Sequence, residues 1–190
     1  MRNERLAKKK LDAIAKRIGK RRIHYKAFSR MLNIEFRSLK TRFYFKRAKD
    51  FGQAIAYSGY FNPPPIDEDG KYHVHVEYGK DVDDRINPRK SVYDYIYQVL
   101  VHEYRHGYQW RARKFRIRRP PDASFTYSNK SIQKEVRHMM DYDEVDAHAS
   151  DTAVLLQMGR KRNDRYELLK KHAPKVWKKF HKKVYLFSHK

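Results

Sequence analysis

Apolar positions recur at two periods along the chain, and the change of period marks its elements. Leu11, Ile14, Ala15 and Ile18 fall three and four apart among Lys9, Lys10, Lys16 and Arg17. That spacing predicts an amphipathic helix, and Gly19 offers its C-terminal stop. From Tyr25 to Phe45, Phe28, Met31, Leu32, Ile34, Phe36, Leu39, Phe43 and Phe45 alternate with basic residues, which predicts one or two further helices. Residues 53–60 read as a short strand, followed by a turn-rich connection through Pro63-Pro64-Pro65 and Asp67-Glu68-Asp69-Gly70. Tyr72 to Tyr78 alternates strictly, with Tyr72, Val74, Val76 and Tyr78 on one face and His73, His75 and Glu77 on the other. The two strands are expected to pair as neighbours. After Pro88, Ser91 can cap a long helix striped by Val92, Ile96, Val99 and Leu100 and ending near Lys114. A second long helix is expected over 131–158, through Ile132, Val136, Val145, Ala149, Ala153 and Leu156. Pro174 opens a last one, with Val176, Trp177, Phe180 and Val184 on its apolar side. The pattern is α+β.

Charge adds an organisation that periodicity does not show. The 190 residues carry a formal net charge of +23. Residues 1–50 hold 18 Lys+Arg against 4 Asp+Glu, 51–158 hold 15 against 16, and 159–190 hold 12 against 2. This suggests a basic helical arm over 1–50, a near-neutral body over 51–158 and a basic helical C-terminal arm over 159–190. Such arms bind polyanions by releasing counterions, so nucleic acid or a nucleic-acid-rich assembly is the expected partner. An anionic membrane surface comes second. No stretch approaches the ~20 apolar residues of a spanning helix, so no transmembrane segment is expected. Met1-Arg-Asn-Glu-Arg-Leu leads into Lys8-Lys9-Lys10 with no apolar run behind it, so a cytoplasmic protein without a signal peptide is expected. The chain has no Cys, which removes disulfides and thiolate metal ligands.

The near-neutral body holds the candidate chemistry. His102-Glu103-Tyr104-Arg105-His106 is an H-E-x-x-H motif on the predicted helix. Two His four apart project from one helix face, where both imidazoles can reach one Zn²⁺. Glu103 then stands beside the open coordination position, suited to take a proton from bound water and return it to a leaving amine. A third ligand must come from elsewhere, because Ala112 stands where an immediate extension of the motif would need His. Glu144, His148 and Asp151 fall at i, i+4 and i+7 on the second long helix, beside Ala147. Glu144 is the preferred third ligand and His148 its rival. The alternative, His148 or Asp151, is then expected to orient a ligating His or the substrate. Asp141, Asp143 and Asp146 are the remaining carboxylates of this acidic segment. Tyr127, Tyr166 and His172 are available as a transition-state stabiliser. His73 and His75 share a strand face, but nothing fixes further ligands around them.

Over residues 53–158 the chain resembles the zincin metallopeptidases, in particular small gluzincin-like members of the phage- and mobile-element type related to the ImmA/IrrE group. The resemblance rests on H-E-x-x-H and on the later Glu144-x-x-Ala147. It implies a short mixed sheet ahead of the motif helix, His102, His106 and Glu144 as zinc ligands, Glu103 as general base, and peptide-bond hydrolysis. Ser150 stands where the family carries Phe. In zincins an edge strand binds extended peptide, and 72–78 or 53–60 are the segments available for that. The SprT-like DNA-associated proteases are similar in combining the motif with basic character. A phage origin would place the protein in the host cytosol or the virion. The contrasting expectation is a non-enzymatic basic nucleic-acid-binding or virion structural protein that keeps a zincin-like body as scaffold.

Overall fold

The computed structural model describes residues 2–48, 55–62, 70–113, 142–160, 167, 170–171 and 173–189. Pro63 to Asp69, Lys114, residues 131–141 with Asp141, Tyr127, Tyr166 and His172 lie outside them. The fold is mixed α+β. Its elements are α1 (Arg2–Ile18), β1 (Ile23–His24), α2 (Tyr25–Phe36), a 3-10 turn (Arg37–Leu39), β2 (Thr41–Ala48), β3 (Ile55–Phe61), β4 (Tyr72–Gly79), β5 (Arg85–Ile86), α3 (Lys90–Ala112), α4 (Tyr142–Gln157) and α5 (Pro174–Ser188).

The chain forms two compact units, Met1–Gly107 and Tyr108–Lys190. The partition expected from charge, at 50 and 158, cuts across both. Counted by unit, the first holds 24 Lys+Arg against 13 Asp+Glu and the second 21 against 9, so each is strongly basic. Among the described residues no helix is long and apolar enough to cross a membrane.

In the first unit Leu11, Ile14 and Ile18 of the expected α1 stripe are buried, Ala15 is half-buried, and Ala7 joins them one turn earlier. Gly19 takes φ +60°, a left-handed conformation that ends the helix at low cost because glycine has no Cβ. In α2 the Nδ1 of His24 accepts from the Lys26 N–H and caps the start, and Phe28, Leu32 and Phe36 are buried. All of these belong to one core that also contains Phe43, Val74, Ile96 and Leu100. Residues 2–48 therefore contribute side chains to the unit's core rather than forming an appended arm.

The helix expected through Phe45 ends earlier. Lys40, at φ 52°, reverses the chain, and Thr41, Phe43 and Phe45 then point to the core at period two while Arg42, Tyr44 and Lys46 point away. The resulting β2 was hidden because its apolar residues continue a helical stripe without a gap. In the three-stranded sheet β4 is central, parallel to β2 and antiparallel to β3. The expected neighbouring of the two middle strands holds, with Tyr57 opposite Val76 and Tyr60 opposite His73. Central placement withdraws 72–78 as a peptide-binding edge, since both sides of that strand are already hydrogen-bonded. The other outer strand, β2, is closed by Asn33. Its amide nitrogen donates to the Phe43 carbonyl at 2.9 Å, and its amide oxygen accepts from the Phe43 N–H at 2.9 Å.

In the second unit α4 and α5 pack around Val145, Ala149, Ala153, Phe180 and Val184. Pro174 opens α5 as its position predicts.

Candidate metal centre

The expected site residues divide between the units. His102, Glu103 and His106 belong to the first; Glu144, His148 and Asp151 belong to the second.

Helix α3 is anchored on the sheet by its own apolar side. Ile96, Leu100, Val101 and Tyr104 are buried, and the Tyr104 ring meets Tyr72 of β4 edge-on at 4.7 Å. The Thr41 hydroxyl donates to the Leu39 carbonyl at 3.1 Å, which leaves its oxygen to accept from the Tyr104 hydroxyl at 3.0 Å. Burial pushes the Tyr104 hydroxyl well above the ordinary tyrosine range, so it stays a neutral donor. Two glycines allow the helix to lie this close. A Cβ on Gly107 would run into the Tyr72 hydroxyl oxygen. A Cβ on Gly59 would stand 2.6 Å from Val99 Cγ1 and 2.9 Å from Glu103 Cγ.

The motif residues occupy the rest of that helix. His102 and His106 are half-buried, their rings 4.7 Å apart and inclined by 77°. Their Nε2 atoms are 3.0 Å apart. Two nitrogens each ~2.0–2.1 Å from a tetrahedral Zn²⁺ stand about 3.3 Å apart. The His pair therefore fits two positions of such a site through the same ring nitrogen. Glu103 is buried, with Oε1 3.0 Å from the position a Cβ of Gly59 would take. The backbone of β3 thus walls the carboxylate and limits its swing.

In the second unit the i, i+4, i+7 face is formed as its spacing predicts. His148 Nε2 is 3.7 Å from Glu144 Oε2, and His148 Nδ1 is 3.4 Å from Asp151 Oδ2. Asp151 is buried and accepts from the Thr152 hydroxyl at 3.2 Å. Asp143 and Asp146 are engaged otherwise. Asp143 pairs with Arg113, and Asp146 accepts from Lys183 Nζ at 2.7 Å and from Gln109 Nε2 at 3.1 Å. The same Gln109 nitrogen donates to the Asp143 carbonyl at 3.1 Å. Both carboxylates thus hold partners other than His148.

Sequence reasoning passed over Gly59, Gly107, Gln109 and Thr41. A glycine inside a strand signals close approach of another backbone, so Gly59 was the one that could be found. Comparison with protein families, with characterised proteins and with solved structures finds no match to this chain.

Proposed function

We propose that this chain is a zinc-dependent metallopeptidase of the zincin type, held on nucleic acid or a nucleic-acid-rich assembly by its basic surface. In this reading His102, His106 and Glu144 are the metal ligands and Glu103 is the general base. The observation that carries it is the pair of Nε2 atoms 3.0 Å apart on a helix fixed to a sheet, with a buried carboxylate next in sequence.

Zn²⁺ at such ligands would lower the pKa of its bound water and polarise the scissile carbonyl. Glu103, next to the ligand positions, would be the group placed to accept a proton from a water at that site and return it to the leaving amine. Its confinement by Gly59 keeps it in one place for both transfers. Asp151, steadied by Thr152, orients the His148 ring through Nδ1.

The test is metal content alongside peptide hydrolysis. Wild type should carry about one Zn²⁺ per chain, lost in His102→Ala, His106→Ala and Glu144→Ala. Glu103→Gln should keep the metal while hydrolysis falls by about 10²–10⁴-fold. Metal retained in Glu144→Ala but lost in His148→Ala would move the third ligand to His148. Wild-type protein without stoichiometric metal would end the peptidase reading.

A second reading, a non-enzymatic basic nucleic-acid-binding or virion structural protein on a zincin-like scaffold, is favoured by the charge. Both units are strongly basic, an excess that hydrolysis does not require. It expects salt-dependent nucleic-acid binding with the same affinity in Glu103→Gln, and no hydrolysis by wild type.

A further inference from the structure

The two faces of the three-stranded sheet differ in a way the peptidase chemistry does not use. On the inner face Tyr72, Val74, Val76 and Tyr78 are buried in the core. On the outer face the register sets Tyr44 of β2 beside His75 and Tyr60 of β3 beside His73. The four rings form a pile. Tyr60 lies 4.6 Å from His73 at 10° between planes and 5.4 Å from His75 at 24°. Tyr44 lies 4.8 Å from His75 at 14° and 5.7 Å from His73 at 12°. The histidines are thus sandwiched between two tyrosines, and each tyrosine has one ring face against them and one turned outward. The Tyr44 hydroxyl also lies 3.2 Å from His73 Nδ1, which fixes the ring's tilt. His73, on the polar side of the alternation, is only 7 % exposed because the tyrosines cover it.

The ends of the pile remain open to solvent. Tyr44 is 38 % exposed and Tyr60 44 %. Tyr44 sits between Arg42 and Lys46 on the same side of β2, all three exposed. Among the described residues of these strands one acid shares the face: Glu77 stands opposite Lys46, whereas Arg42 stands opposite His73. A rigid aromatic pile with open ends, flanked by cations on a chain of net charge +23, matches a ligand that alternates flat aromatic groups with anionic ones.

We propose that this outer sheet face binds single-stranded nucleic acid, with unpaired bases extending the pile on Tyr44 and Tyr60 and the backbone phosphates meeting Arg42 and Lys46. The proposal rests on the reading of nucleic acid as partner and adds to it a location and a strandedness; it is independent of the metal centre. A duplex cannot use the pile, because its base faces are already covered by their neighbours. Phosphate contacts elsewhere on the basic surface would serve duplex and single strand alike.

The experiment is fluorescence anisotropy with the full chain and three labelled probes: a 12-mer of dT, a 12-mer of U and a 12-base-pair duplex. Tyr44→Ala and Tyr60→Ala should each weaken single-strand binding by about 5- to 100-fold and leave duplex affinity within about twofold, while Tyr44→Phe stays near wild type. Arg42→Ala should reduce the salt slope by about one, and the tyrosine variants should leave that slope unchanged. Unchanged thermal midpoints would show that the variants remain folded. Equal losses on single strand and duplex, or no loss on either, overturn the proposal. So does a change of oligomeric state in Tyr44→Ala with affinity intact, which would assign the face to a second copy of the chain. The dT and U arms separate DNA from RNA. Wild-type protein that binds none of the probes at low salt removes the nucleic-acid reading itself, whereas binding indifferent to both tyrosines removes only this site.

Discussion

At Gly59 the absence of one methyl group decides how closely β3 approaches the motif helix. A side chain there would meet Val99 Cγ1 and Glu103 Cγ below ordinary contact distance, and Glu103 is the general base of the proposed chemistry. Gly59→Ala should therefore cost about 1–3 kcal/mol, as inserting a methyl into a packed interface does. It should also reduce hydrolysis by displacing Glu103, with metal content kept. Chemical denaturation of Gly59→Ala, Val99→Ala and the double variant measures this. Relief in the double variant, where the nearest clash is gone, identifies the steric cause; simple additivity would contradict it. The residue scale also shows what was legible in the sequence. His102, Glu103 and His106 were found because their relation is local, one turn of one helix. Gly59, Gly107 and Gln109 were not, because their roles are set by what another element brings against them. Spacing along one helix carries no record of a tyrosine hydroxyl arriving from a strand at Gly107.

Elements with one dominant face were legible: α1, α3, α5 and β4 each present a stripe of a single period, and burial follows it. Strand β2 was not, because Phe43 and Phe45 continue the apolar run of α2, and the break comes from Lys40 in a left-handed conformation that lysine seldom signals. What makes a strand of this segment is tertiary: β4 on one side and the Asn33 amide on the other. The Phe43 N–H and C=O point away from β4, and Asn33 satisfies both as a neighbouring strand would. Ser29 Oγ also donates to the Phe43 carbonyl at 3.3 Å, so Asn33→Ala strands chiefly the N–H. The expected cost is about 1–3 kcal/mol, the penalty for a partly buried donor without a partner. Hydrogen exchange at the Phe43 amide should accelerate beyond the global change in Asn33→Ala. Protection at Phe43 equal to that of residues facing β4 would show that the Asn33 contact does not hold this edge.

Across the whole molecule the charge has two consequences with opposite salt dependence. Basic residues outnumber acidic ones in both units, and acids on the surface are drawn into local pairs, as Asp83 is with Arg22. The Arg85 backbone N–H, and next Arg22, hold the Asp83 carboxyl below its usual range. The chain carries 45 Lys+Arg against 22 Asp+Glu, and the mutual repulsion of that excess opposes the compact state. Salt shortens the reach of that repulsion from ~30 Å at 0.01 M to ~8 Å at 0.15 M. The thermal midpoint should therefore rise over this range, by about 2–4 °C for each kcal/mol of repulsion relieved. A bound single strand acts the other way. It stabilises the folded chain most at low salt, by about 2.7 kcal/mol at a hundred times its Kd, and this gain fades as salt weakens the complex. Scanning calorimetry across salt, with and without a 12-mer of dT, should give two curves that start apart and converge. A flat curve for the protein alone would mean that its cations are already neutralised locally. Parallel curves would mean that the oligonucleotide is held by contacts other than charge.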